Sequence, residues 1–125
     1  MRFLIITLII FGLFNFCSTR TTRPELDFAN KMAKAGLWKE AYFRWQKILP
    51  RQKDNAAIHN NMAVALEQMG KIDEAEKEYQ LALKLAPGNT YIQKNYNKFK
   101  DNQNRVDKEE DEGKKEKKKK RKVEK

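Results

Sequence analysis

Residues 56–89 read AAIHNNMAVALEQMGKIDEAEKEYQLALKLAPGN, and this stretch decides the fold. Ala63, Leu66 and Met69 fall on one face of a helix, and Ala75, Tyr79, Ala82 and Leu83 fall on one face of another. The punctuation agrees with that division. Asp54-Asn55 can cap the first helix and Gly70 ends it, Asp73 with Glu76 three residues later resembles a capping box, and Pro87-Gly88 stops the second. So short a link between the two predicts an antiparallel hairpin. The small Ala63 and Ala75 would let its backbones approach.

A shift of 34 residues finds a second, weaker copy over 22–55. Phe28, Ala29, Met32, Gly36, Ala41, Trp45 and Ile48 stand at the equivalent positions, and Glu40-Ala41 and Gln46 repeat as Glu74-Ala75 and Gln80. This copy departs in two places. Glu25 replaces the first aromatic, and Pro50 ends the second helix about a turn early while Lys53 holds the expected proline site. Asn89-Thr90 can then cap a further helix carrying Ile92, Tyr96 and Phe99. The expectation is an all-α chain with two hairpins over 24–89 and a capping helix over 90–100.

His59-x2-Met62-Ala63-x2-Leu66, followed by Ala75-x3-Tyr79, Ala82 and Pro87, resembles a tetratricopeptide repeat. The resemblance implies a non-catalytic scaffold that holds a protein or peptide in a groove lined by the first helix of each hairpin. Here it places Leu26, Asn30, Ala33 and Lys34 from one repeat, and Asn60, Asn61, Val64, Glu67 and Gln68 from the next, along that groove. Asn30 and Asn61 match the paired asparagines of chaperone-binding members that clamp a peptide carboxylate. Leu26 and Tyr91 stand at two of the clamp's basic positions, so mixed polar and apolar peptide binding fits better than carboxylate capture. With so few repeats, self-association through open repeat faces is the alternative of a different class.

The ends of the chain carry separate signals. Arg2 followed by the apolar run 3–16 has the charged and apolar regions of a secretory signal, and it is shorter than the roughly 20 residues of a spanning helix. Cys17, the one cysteine, closes this run and resembles the lipidation site of a bacterial lipoprotein, although Phe14-Asn15-Phe16 departs from the small residues of that cleavage box. The resemblance implies a lipid-anchored envelope protein. Ser18 in place of an aspartate favours the outer membrane, and an uncleaved N-terminal anchor is the alternative. Residues 18–23 would then be a linker of at most roughly 20 Å.

Residues 101–125 hold few apolar side chains and are expected to be disordered. Residues 107–112 are acidic, whereas Lys117, Lys118, Lys119, Lys120, Arg121 and Lys122 form a basic run suited to an anionic lipid, a cell-wall polymer or an acidic protein. Nucleic acid fits less well, because no aromatics interleave for base stacking. The net charge of +10 is spread along the chain rather than concentrated in the repeats.

Catalytic chemistry finds no motif. There is no phosphate-cradling glycine loop, nucleophile elbow, cysteine pair or zinc-binding histidine run, and His59 is the lone histidine at a packing position. No cofactor or metal is implied. Glu74 and Glu78 read as a solvated helix face, and Trp45, Tyr42 and Tyr79 as core, with Trp38 or Phe43 left toward solvent.

Overall fold

Local capping sets the helix boundaries in the computed structural model, which describes residues 22–123 and their side chains as far as 118. The order is α1 (Thr22–Lys34), α2 (Trp38–Ile48), a 3-10 turn (Leu49–Arg51), α3 (Ala56–Gln68), α4 (Ile72–Leu85) and α5 (Thr90–Val123). Asn55 opens α3 by accepting from the amides of Ala57 and Ile58. Asn89 opens α5 in the same way, through Tyr91 and Ile92.

Two helices end alike. Gly36 and Gly70 adopt φ of 75° and 73°. Leu37 N donates to Met32 O at 3.0 Å, and Lys71 N donates to Leu66 O at 2.9 Å. These are the six-to-one bonds of a Schellman ending, which turns each chain back into a hairpin. The capping box expected at Asp73 does not form. Helix α4 begins two residues earlier than such a cap implies, at Ile72, with no side-chain cap, and Asp73 and Glu74 instead place negative charge in its first turn.

Small side chains then set the spacing within hairpins. Ala29, Ala41, Ala63 and Ala75 are fully buried, two in each hairpin and 34 residues apart in pairs. Trp45 and Ile48 of α2 pack with Ile58, Met62 and Ala65 of α3 and so join the first hairpin to the second. Ala63, Leu66, Ala75 and Tyr79 make the next layer with Phe99 of α5, whose ring lies 5.3 Å from that of Tyr79. Pro50 in the 3-10 turn ends α2 at 11 residues, where α4 runs for 14.

The tail departs from the sequence reading. Helix α5 does not stop near residue 100 to leave a disordered segment, but continues to Val123. The reason is local: residues rich in Glu, Lys and Arg are strong helix formers, with acids toward the N-terminus and bases toward the C-terminus of this stretch. Glu110 and Lys114 meet at 3.6 Å as one such i, i+4 pair. The compositional argument still holds for packing, since residues 104–112 are exposed. Among the described residues, no helix is long and apolar enough to cross a membrane. The apolar run 3–16 and Cys17 lie outside them.

The glycine endings make a direct prediction. A methyl group at Gly70 would meet no atom within 4 Å, so Gly70→Ala costs only the left-handed backbone conformation. Urea unfolding followed by circular dichroism should show a loss of about 1 kcal/mol.

Candidate functional groove

The groove is built around an asparagine whose orientation is fixed from below. The indole N–H of Trp45 can only donate, and it does so to Asn30 Oδ1 at 3.2 Å. The amide of Asn61 donates to the same oxygen at 3.4 Å. Asn60 Nδ2 donates to Asn61 Oδ1 at 3.3 Å, and Asn95 Nδ2 donates to Asn60 Oδ1 at 3.0 Å. One relay of amides thus runs from α1 through α3 to α5. Because Asn30 Oδ1 already accepts twice, what Asn30 offers a ligand is its N–H donors.

Beside this relay lies a cavity of about 290 Å³ lined by Asn30, Ala33, Lys34, Trp38, Trp45, Asn61, Val64 and Tyr91. Of the residues expected to line a groove, Asn30, Ala33, Lys34, Asn61 and Val64 come together. The other four named with them do not line it: Gln68 is exposed at the end of α3, and Leu26, Asn60 and Glu67 have different neighbours. Leu26 packs against the core of the first layer. Asn60 is buried and serves as the link to Asn95. Glu67 accepts from the Tyr79 hydroxyl at 3.1 Å and from Asn102 at 3.5 Å, which ties α3 to α4 and α5. Trp38 supplies a wall that the sequence reading treated only as a candidate exposed aromatic. Tyr91 contributes an exposed ring at the start of α5.

Asn95 was missed, although a signal was available. A further shift of 34 residues carries Ile58 to Ile92, Asn61 to Asn95 and Met62 to Tyr96, so α5 begins as the first helix of a third repeat. Its polar composition masked that register.

His59 does not line the groove. The ring is buried, with Nδ1 2.7 Å from Glu78 Oε2 and Nε2 2.9 Å from the carbonyl oxygen of Lys53. Both neighbours are acceptors, so a hydrogen bond to each requires protons on both ring nitrogens or one on Glu78. Glu78 therefore supports His59, whereas Glu74 pairs with Lys71 at 2.9 Å on the surface. Among the described residues no three His, Cys, Asp or Glu side chains converge as metal ligands would. On α5, Lys117 and Lys118 are exposed; the side chains of Lys119, Lys120, Arg121 and Lys122 lie outside the described set.

Residues 56–89 match the tetratricopeptide repeat family model, which identifies the second hairpin as such a repeat. No curated protein matches the chain. Repeats of this kind bind protein partners, and the all-α stack of hairpins is the scaffold they use.

Tyr79 gives this assembly a pH dependence. Burial, with the Glu67 carboxylate next in importance, pushes its phenol above the ordinary tyrosine value. An unfolded tyrosine releases its proton near pH 10 while folded Tyr79 keeps it, so the contribution is complete below about pH 10 and is lost as pH rises further. Stability of the native chain should fall more steeply above about pH 10 than that of Tyr79→Phe, as read from urea midpoints at successive pH values.

Proposed function

We infer that this chain is a non-catalytic tether, holding an extended segment of a partner protein in the groove beside a bacterial envelope membrane. The observation that carries the reading is the pairing of Asn30 and Asn61 with an apolar wall. Amide donors suit the carbonyl groups of an extended backbone, while Trp38, Val64 and Tyr91 suit an apolar side chain next to it. Lys34 at the rim adds one cation, too little for an acidic-peptide site but enough to favour a neutral or mildly acidic segment.

Tethering needs no chemistry on the partner. An anchor restricts the scaffold to a surface, and the bound segment gains effective concentration there. Cys17 as a lipidated first residue supports such an anchor, because only residues 18–21 separate it from the start of α1.

Two measurements test the two halves of this reading. Peptides selected against the intact chain should bind Asn30→Ala/Asn61→Ala about tenfold more weakly, or about 1.4 kcal/mol, by calorimetry; unchanged affinity would remove the groove. The intact mass of protein taken from native membranes should begin at Cys17 and include acyl chains. A mass that retains Met1 would replace the lipid anchor with an uncleaved one.

A further inference from the structure

The two ends of the helical stack are finished differently. A shift of 34 residues superposes Phe28 of α1 on Met62 of α3. Met62 is 2% exposed because α2 packs over it, whereas Phe28 is 42% exposed. No helix among the described residues precedes α1 to cover it. At the other end the same shift puts Asn97 and Lys100 of α5 where α3 carries the buried Ala63 and Leu66. Helix α5 thus turns a polar side outward and closes the stack, while at the other end no described element covers α1 and α2.

The open face has the makings of a contact surface. Phe28 lies under the Arg44 guanidinium at 4.2 Å, and Phe43, half exposed, lies under the Lys47 ammonium at 4.3 Å. A recess of about 390 Å³ beside them is floored by Ile48 and Pro24. Both signs of charge stand on it, with Arg44 paired to Glu40 at 2.6 Å and Arg51 paired to Glu25. Arg44 Nε is buried there without a hydrogen-bond partner.

We propose that this face of α1 and α2 is a self-association surface, on which a second copy docks the same face across a two-fold axis. The mixed charge of the face favours this occupant: across a two-fold axis the Glu25–Arg51 and Glu40–Arg44 pairs of one copy lie against those of the other, where each carboxylate can bridge to a base of the second copy while keeping its own. A head-to-tail stack is disfavoured, since it would lay the exposed Asn97 and Lys100 of α5 on Phe28. The resulting pair is a stack of four hairpins with a polar α5 at each outer end. That arrangement supplies the neighbours and caps that repeat arrays require. The surface shares no lining residue with the groove, so the two are independent.

Sedimentation equilibrium of the full chain in density-matched detergent tests this. The expected result is a dimer that dissociates on dilution, becomes monomeric with Phe28→Glu at unchanged helix content, and persists with Asn30→Ala/Asn61→Ala or with Lys98→Glu on α5. Should Phe28→Glu fail to fold, Phe43→Glu serves in its place. In the purified full chain, Phe28→Cys in a Cys17→Ser background should oxidise to a disulfide-linked dimer. A chain that stays monomeric at every concentration overturns the proposal, and the face is then covered by the chain ahead of residue 22 or by another protein. A dimer unaffected by both Phe28→Glu and Phe43→Glu overturns it as well.

Discussion

The side chain of Trp45 connects the core of this protein to its surface. Its ring fills the space where the first hairpin meets the second, among Ile58, Met62 and Ala65 of α3. The same indole carries one N–H, which must find an acceptor because it is buried. Asn30 is that acceptor, and its oxygen is thereby turned inward. Asn61, Asn60 and Asn95 then follow in one donor-to-acceptor direction. A packing requirement thus decides which hydrogen-bonding groups the groove presents.

The alternation of large and small residues makes this possible. Fully buried alanines bring α1 against α2 and α3 against α4, and Trp45 and Tyr79 fill the larger spaces in the same clusters. Tyr79 differs from Trp45 in its polar partner: its hydroxyl reaches Glu67, which also holds Asn102 of α5. Each hairpin is therefore locked by an aromatic ring with one satisfied polar atom. His59, between Glu78 and the Lys53 carbonyl, does the same where the family places a plain aromatic. Substituting a nonpolar ring there would take this partner from Glu78 Oε2 and from the Lys53 carbonyl, and the two hydrogen bonds explain how a polar residue can serve at a packing position.

Much of the fold was legible because it rests on short-range signals. Asn55 and Asn89 cap helices, Gly36 and Gly70 supply the left-handed turns, and Pro50 shortens α2, each acting within a few residues of itself. The errors came from competition between local signals. Asp73 looked like a cap, yet the Schellman turn at Gly70 had already started α4. The charged tail looked disordered because it cannot build a core, but a chain without a core can still be helical when its charges are ordered along the axis. More than half of the groove was legible as well, since Asn30, Ala33, Lys34, Asn61 and Val64 follow from helical register. Asn60 and Glu67 share that helix but face α5 and α4, and only the angle between helices reveals it.

By itself the sequence determined a period of 34 residues, the helices within each period and the small residues at their contacts, because these depend on neighbours three or four positions away. The tertiary structure alone decided which side chains share a surface. The groove joins residues from Asn30 to Tyr91, and the open face joins Phe28 to Arg44. Such juxtapositions depend on how one hairpin rotates against the next, a quantity set by the summed packing of Trp45, Met62, Tyr79 and Phe99 and carried by no single stretch of chain.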